Sequence, residues 1–163
     1  MDADVDALKL RELLRRLVRG IGLLDREDAA CCGITLSQCH ALGEVATQEG
    51  LTPGELAVRL GVDPSAITRI TDALVQGGLL SRRSDPSDRR LVRLFLTPEG
   101  RSLWDGIHSM MMERSRAVIE HLSPDERPAA LAALERLVEA LEREGYLPRP
   151  GTKEGPDYER QGT

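Results

Sequence analysis

The chain has 163 residues, of which 30% are charged and only 2% aromatic, and its formal net charge is −5. This length suffices for one domain with its own core, which must be built mainly from Leu, Val, Ile and Ala. There is no apolar run of the ~18 residues needed for a membrane span, no signal peptide and no even set of cysteines for a secreted disulfide framework, so we expect a cytoplasmic protein without membrane contact.

Two helices are predicted at the start of the chain. The first, over residues 5–28, has an apolar face at helical spacing. This face consists of Leu10, Leu13, Leu14, Leu17, Ile21 and Leu24. The second helix, over residues 36–48, begins at Thr35, and Gln38 completes a capping box.

Three cysteines and a histidine lie where these two helices meet: Cys31, Cys32, Cys39 and His40. Because Gly33 and the Thr35 cap reverse the chain, these side chains can converge, and thiolates with imidazole suit zinc, cadmium, copper(I) or trivalent arsenic. The spacing matches no standard zinc ribbon. Three interpretations therefore remain: small buried hydrophobic residues, a sensor of a soft metal or metalloid ion, or a thiol oxidation switch.

Two shorter helices follow, each with its own start and stop signals. Thr52–Glu55 is a capping box with proline at the first helical position, and Gly61 ends that helix. The fourth helix, over residues 64–76, begins at the acidic cap Asp63 and ends at Gly77. Its apolar stripe should face the core and consists of Ile67, Ile70, Leu74 and Val75. Polar side chains off this stripe are Ser65, Thr68, Arg69, Asp72 and Gln76.

A basic hairpin comes next. Strands predicted at Leu79–Arg82 and Leu91–Leu96 enclose the turn-rich loop RSDPSDRR. Residues 51–101 carry 8 Lys and Arg against 6 Asp and Glu, whereas the remainder carries 14 against 21. The basic residues of the hairpin are Arg82, Arg83, Arg89, Arg90 and Arg93. An acidic body repels DNA, so any DNA contact should be confined to this surface.

The rest of the chain is predicted to be helical. Thr97-Pro98 opens a long helix to about His121, and Ser123–Glu126 forms a capping box before a last helix. The last helix has an apolar side made of Leu131, Leu134, Leu137, Val138 and Leu141. Residues 148–163 are rich in Pro and Gly and are predicted to form a flexible tail. The expected fold is mainly α with a small β-hairpin wing, in one domain over residues 1–147.

The order helix, turn, helix, strand, basic loop, strand over residues 51–101 is that of a winged helix-turn-helix. The stretch ELAVRLGVDPSAITRITDALVQGGLLSRRSDPSDRRLVRLFLTPEG, with its DPxDRR loop followed by V and LTxEG, resembles the MarR (multiple antibiotic resistance regulator) family of bacterial transcription factors. The resemblance covers residues 5–145 and is strongest over the winged core at 34–101. It implies a homodimer with dimerisation helices at 5–28 and 98–145, a repressor role, and a small-molecule, metal or redox effector. The alternative for the apolar faces of these helices is ordinary intrachain core.

A winged helix-turn-helix places its second helix in the major groove of double-stranded DNA, and this chain offers three candidate contacts there. They are Ser65, Thr68 and Arg69. Arg69 is the only cation on that helix and is the candidate for a guanine edge. A phosphate contact, or a salt bridge with Asp72, is the alternative role for Arg69.

The wing supplies the other candidate contacts. Arg89 and Arg90 lie at its tip, where a guanidinium can enter a narrow minor groove. In the family, the aspartate of a D-x-R pattern holds the loop and its arginine reaches DNA. These positions match Asp88 and Arg90 here.

Zinc-uptake repressors of the same family use a cysteine, an acid-His pair in the second helix and histidines on the long fifth helix. Cys39-His40 stands where the pair would fall, and His108 lies on the long helix. Met111 and Met112 stand near where a further histidine would be expected, so the zinc ligand set is incomplete here and no cofactor is assigned.

An enzyme is not expected, because no nucleophile-base pair, phosphate loop or carboxylate pair stands out. The alternative to a DNA-binding regulator is a winged-helix module that binds protein and has lost DNA binding.

Overall fold

The computed structural model describes residues 3–147, and in the first helix only the backbone of residues 3, 24, 26, 28, 29 and 31. The predicted tail at 148–163 lies outside the described residues. The elements, in chain order, are α1 (Ala3–Cys31), α2 (Leu36–Thr47), α3 (Pro53–Leu60), α4 (Pro64–Gln76), β1 (Leu80–Ser84), β2 (Val92–Leu96), α5 (Pro98–Glu120) and α6 (Glu126–Arg143). This is the predicted fold class, mainly α with one β-hairpin. None of the described helices has the length and apolar character to cross a bilayer.

The starts of α2 and α3 follow from side-chain caps. The hydroxyls of Thr35 and Thr52 accept hydrogen bonds from the backbone N–H groups of Gln38 and Glu55, and both reciprocal side-chain bonds are present. Gly61 ends α3 with a φ of 60°, a left-handed conformation that a residue with a Cβ rarely adopts. The capping boxes predicted at Thr35 and Thr52 are confirmed.

Two other predicted caps are wrong in detail. Asp63 precedes α4 but its side chain makes no cap hydrogen bond, so Pro64 and the helix backbone define that start. At the predicted box before α6, the Ser123 hydroxyl donates to the Glu126 carboxylate at 2.7 Å instead of accepting the backbone N–H. The other half of the box is present, because Ser123 N donates to the same carboxylate at 2.9 Å, and the helix begins at Glu126.

Both strands start one residue later than predicted, because the backbone N–H group of the preceding residue is hydrogen-bonded outside the hairpin ladder. Leu79 N donates to Leu74 O at the end of α4, and Leu91 N donates to Asp88 O within the loop. The antiparallel register places Leu80 opposite Leu96 and extends to Ser84 opposite Val92. We refer to the hairpin, residues 80–96, as the wing.

The core lies beneath α2, α3, α4 and the wing. Its largest wholly buried apolar side chains are Leu42, Leu56, Ile67, Leu74, Leu80 and Leu94. From the predicted stripe of α4, Ile67 and Leu74 are buried, while Ile70 and Val75 pack half-buried against the core. The helix-turn-helix and the wing are thus one packed unit.

The helices outside this unit are far less buried. In the chain as described, α6 contains no buried residue. Large apolar side chains of α1 and α6 are exposed: Leu10, Leu13, Leu17, Ile21, Leu131, Leu134 and Val138. Exposed apolar area of this extent costs free energy in water and favours coverage by another protein surface.

Candidate nucleic-acid interface

Helix α4 has one face in the core and one face in solvent. The packing of Ile67 and Leu74 turns Ser65, Thr68 and Arg69 outward, and all three are exposed. The Thr68 hydroxyl donates to Pro64 O at 2.9 Å, which leaves its oxygen lone pairs for an incoming donor. The three predicted groove residues therefore share one accessible surface.

The Arg69 side chain has no recorded hydrogen bond or ion pair within residues 3–147. The salt bridge between Arg69 and Asp72, one of the alternatives raised by the sequence, is not formed. Asp72 pairs instead with Arg82 of β1, whose Nη2 lies 2.7 Å from Asp72 Oδ1. The Arg69 guanidinium is consequently available for a ligand.

Arg82 also contacts a second side chain of α4. Its Nη2 donates to Thr71 Oγ1 at 2.9 Å, and Thr71 is wholly buried. Neither Thr71 nor this role of Arg82 could be inferred from periodicity, because the contact joins two elements that are separated by the turn at Gly77 and Gly78.

The loop of the wing is organised by Asp85, which directly follows β1 and is 4% exposed. Its Oδ1 accepts hydrogen bonds from Ser87 N at 2.7 Å and Asp88 N at 3.1 Å and also from the Ser87 hydroxyl. Its Oδ2 pairs with Arg93, which in turn donates to Gly50 O at 2.6 Å. The hydrogen bond from the Ser87 hydroxyl, followed by that from Arg93, holds the pKa of Asp85 well below its usual range.

Asp88, the residue assigned to hold the loop, makes a smaller set of contacts. Its Oδ1 accepts one hydrogen bond, from Arg90 N at 3.0 Å. Asp85 was missed as a structural residue of the wing. The available signal was the Asp-Pro-Ser-Asp run itself, since an aspartate at the start of a turn commonly accepts hydrogen bonds from N–H groups two and three residues later.

The arginines of the wing fall into two groups. Arg83 lies over the Phe95 ring at 4.5 Å, a cation–π contact, and Arg93 is bonded to Asp85. Arg89 and Arg90 are exposed at the tip, and their guanidinium groups have no recorded partner in the described part of the chain. The two predicted minor-groove residues are thus the ones at the solvent-facing end of the hairpin.

The candidate sensor residues whose side chains are described do not form one ligand set. Cys39 is buried against Ile107, and Cys32 packs half-buried on the same cluster. His40 is exposed and lies 3.8 Å from Asp25, while His108 is exposed and packs on Trp104. The side chain of Cys31 lies outside what the structure describes.

Helix geometry explains this separation. Consecutive residues of an α-helix point about 100° apart, so a buried Cys39 directs His40 towards solvent. Among the side chains described, no three from His, Cys, Asp or Glu are grouped to hold a metal ion. The described side chains of Cys32, Cys39, His40 and His108 are therefore not gathered at one point, and the soft-metal site stays a prediction.

A cleft of about 1080 Å³ joins the cysteine region to the end of α4. Its lining includes Cys32 and Ile34 from the α1–α2 junction, Leu74 and Gly77 at the end of α4, and Leu103 of α5. A molecule held there would touch the helix that carries Arg69. Cys39 and His40 line a different, smaller cleft of about 420 Å³.

Comparison with known proteins gives consistent matches. The model of the MarR family matches residues 34–92. The multiple antibiotic resistance protein MarR of Salmonella typhimurium is 31% identical over 109 residues, which are 66% of this chain and 73% of that protein. The HTH-type transcriptional repressor MdtR of Bacillus subtilis is 38% identical over 68 residues, which are 42% of this chain and 44% of MdtR.

A solved structure extends the match to the fold. The crystal structure of the MarR family transcription regulator SP03579 superposes with a TM-score of 0.74 at 27% identity, covering 87% of this chain and 97% of that one. The chain spans less than two thirds of the length of MdtR and of a Thauera aromatica relative, 44% and 63%. These relatives are named as regulators and not as enzymes, in agreement with the sequence-based expectation.

Proposed function

The chain belongs to the MarR family, and we propose that it is a transcriptional regulator that binds double-stranded DNA through α4 and the wing. The observation that carries this proposal is the placement of Arg69, Arg89 and Arg90. In a chain of net charge −5, these guanidinium groups are exposed on the helix-turn-helix and the wing, with no recorded partner among the described side chains.

The geometry of α4 suits a DNA groove. Its 13 residues span about 20 Å at 1.5 Å per residue, and the major groove, about 12 Å wide, admits one helix. Ser65, Thr68 and Arg69 would meet base edges, while Arg89 and Arg90 would reach the neighbouring minor groove or its phosphates. The hydrogen bonds of Asp85 and Asp88 would hold the wing tip in shape for that contact.

We propose further that the regulator is a homodimer. The exposed apolar faces of α1 and α6 support this, because a second copy of the chain would cover them with a matching apolar surface. A two-fold dimer would present two α4 helices about one DNA turn apart, roughly 34 Å, to a near-palindromic operator. MdtR of Bacillus subtilis is named as a transcriptional repressor, and on that likeness we propose a repressor.

For the effector, the structure favours packing as the main role of Cys39, because this side chain is buried beside Ile107. Thiol oxidation and soft-metal sensing remain alternatives. Oxidation of Cys32 would place polarity in the 1080 Å³ cleft beside the end of α4. A variant with Cys31, Cys32 and Cys39 all changed to serine separates them: an unchanged response of DNA binding to oxidant and to metal ions would exclude both sensing roles.

The central test is DNA retention by the full chain. Purified protein is mixed with fragments of its own upstream genomic DNA at increasing salt, and retained fragments are footprinted. We expect protection of a near-palindromic site, with affinity that falls steeply with salt because bound phosphates release counterions. Failure to retain any fragment at low ionic strength would contradict the proposal and favour the module that binds protein alone.

A further inference from the structure

Arg82 lies on β1 among the basic residues of the wing, yet its guanidinium is directed at α4. We propose that Arg82 is a positioning residue for DNA recognition: by pairing with Asp72 and Thr71 it keeps Asp72 away from Arg69 and fixes α4 against the wing. This inference rests on the proposed function, since it concerns how Arg69 is made available to DNA.

The contact with Thr71 anchors Arg82 to the buried side of α4. The Thr71 hydroxyl donates within its own helix, to Ile67 O at 2.9 Å and with a longer contact to Thr68 O at 3.1 Å. Because its hydrogen is committed to the helix, a lone pair of the oxygen accepts the Arg82 N–H at 2.9 Å. Because Thr71 is wholly buried, this hydrogen bond connects β1 to a side chain that is held in place by the core.

The contact with Asp72 determines which cation forms an ion pair with that carboxylate. Helix α4 carries two charged side chains, Arg69 and Asp72. They are three residues apart, a spacing at which opposite charges on a helix attract. Without Arg82, Asp72 would either pair with Arg69 or stand as an unpaired anion near phosphates. With Arg82 in place at 2.7 Å, neither occurs.

The pair contributes little to folding, which makes the proposal testable. The side chains of Arg82 and Asp72 are 35% and 44% exposed, and ion pairs of this exposure are weak in solvent. We therefore expect Arg82→Gln to fold and to form the same assembly as the unchanged protein, as checked by its thermal unfolding and its mass in solution.

The test compares the operator affinities of four proteins: unchanged, Arg82→Gln, Asp72→Asn, and the double variant. We expect Arg82→Gln to bind at least about fivefold more weakly, in the range expected when one arginine no longer engages DNA. Asp72→Asn should bind at least as well as the unchanged protein. The double variant should recover most of the affinity, because the carboxylate that captures Arg69 has been removed.

Each other outcome has a definite meaning. If the double variant binds as weakly as Arg82→Gln, the effect of Arg82 does not run through the carboxylate of Asp72 and the proposal is overturned. If Arg82→Gln binds like the unchanged protein, the pair has no role in recognition. If the unchanged protein binds no DNA at all, the failure lies in the proposed function and not in this inference.

A second measurement keeps the proposal testable should Arg82→Gln fold poorly. Arg82→Lys retains a charge for Asp72 and should keep most of the affinity, and a loss of about fivefold or more would contradict a role through this pairing. Where Arg82→Gln does fold, an Arg69→Ala background gives a further control: there Asp72→Asn should no longer rescue Arg82→Gln, because the residue being released is absent. Rescue that persists without Arg69 would contradict the proposed route through that side chain.

Discussion

At the scale of single residues, the arginines of α4 and the wing differ in the groups that their side chains contact. Three arginines of the wing contact other side chains of the protein. Arg82 contacts a carboxylate and a hydroxyl, Arg83 an aromatic ring, and Arg93 a carboxylate. Arg69, Arg89 and Arg90 are exposed and have no fixed partner among the described residues. Net charge in sequence counts them all equally, whereas only a cation without a fixed partner can be offered to a phosphate without breaking an existing contact.

We predict different consequences for two of the exposed arginines. Arg90→Ala should weaken binding to every DNA sequence and lower the slope of log affinity against log salt by about 1 for each phosphate that is no longer bound. Arg69→Ala should cost about 1–3 kcal/mol on the operator and also relax its discrimination from other DNA. Titrations on operator and random DNA at several salt concentrations measure both effects.

A matched control for these variants is Arg136→Ala, which removes an exposed arginine from α6, remote in sequence from α4 and the wing. It should leave affinity and salt dependence unchanged. Unchanged affinity and salt dependence in both Arg69→Ala and Arg90→Ala would refute the assignment of the interface.

Asp85 leads to a prediction about pH. Because its pKa in the folded chain lies below the ordinary value of 3.8, the ionised carboxylate stabilises the fold above that value, and this stabilisation is lost as the pH falls through and below it. Thermal unfolding of the unchanged protein and of Asp85→Asn should therefore differ most near neutral pH. The difference should begin to shrink only below about pH 4 and should still be substantial at pH 3.

The comparison variant is Asp88→Asn, whose carboxylate accepts only one recorded backbone hydrogen bond. It should retain the steep loss of stability in acid that the unchanged protein shows. An Asp85→Asn variant with the same acid dependence as the unchanged protein would show that Asp85 does not hold the wing.

At the scale of elements, the position of α5 depends on a close approach between backbones. A Cβ added to Gly100 would lie 1.9 Å from the carbonyl oxygen of Leu79, the residue that links α4 to β1. The Thr97 cap, whose hydroxyl accepts from Gly100 N at 2.9 Å, starts α5 at this point. The glycine thus lets the first turn of α5 pack directly on the end of the helix-turn-helix.

We predict opposite effects of the same substitution at two glycines of α5. Gly100→Ala should destabilise the fold by about 1–3 kcal/mol, since the backbone must shift to relieve the clash. Gly106→Ala, where the added Cβ meets nothing within 4 Å, should stabilise it by up to about 1 kcal/mol through helix propensity. Chemical denaturation of both variants measures the two free energies of unfolding.

Comparing the two glycine substitutions tests the packing of α5 against Leu79 and not helix propensity alone. Equal stabilisation by both substitutions would mean that α5 does not approach Leu79 as closely as the structure shows.

At the scale of the whole molecule, the described chain combines a well-packed core with outer helices whose apolar side chains are exposed to solvent. The core joins α2, α3, α4 and the wing, whereas α6 contributes no buried residue. Leu131 and Leu134 on α6 are 52% and 46% exposed. The proposed dimer would remove these surfaces from water and would set the distance between the two α4 helices.

We predict that Leu134→Glu separates the dimer. Loss of a buried leucine costs about 1.5–3 kcal/mol, incurred once in each protomer, so the dimer affinity should fall by about two orders of magnitude or more. Ala132→Glu adds the same charge on the opposite face of α6 and should leave the dimer intact. Sedimentation equilibrium over a range of concentrations measures the mass of each variant.

Operator binding should weaken together with the dimer, since a monomer engages only one half-site. A monomeric mass for the unchanged protein at working concentrations would contradict the homodimer, whatever the variants do.

Local sequence determined most of the secondary structure. The caps at Thr35 and Thr52, the stop at Gly61 and the stripe at Ile67 and Leu74 each act over a few residues, so they could be recognised without knowledge of the fold. The resemblance of the DPxDRR loop then indicated the MarR family, and both the family and the fold class are confirmed.

Tertiary structure alone decided the partners of charged and thiol groups. Arg82 contacts Thr71 and Asp72 across a turn, and Asp85 contacts Arg93 across the wing. The spacing of residues along α4 was equally compatible with a pairing of Asp72 with Arg69. Long side chains have many local partners available, and the packing of strand on helix selects among them. The same packing buries Cys39 and turns His40 outward, because two neighbours on one helix cannot both face the core.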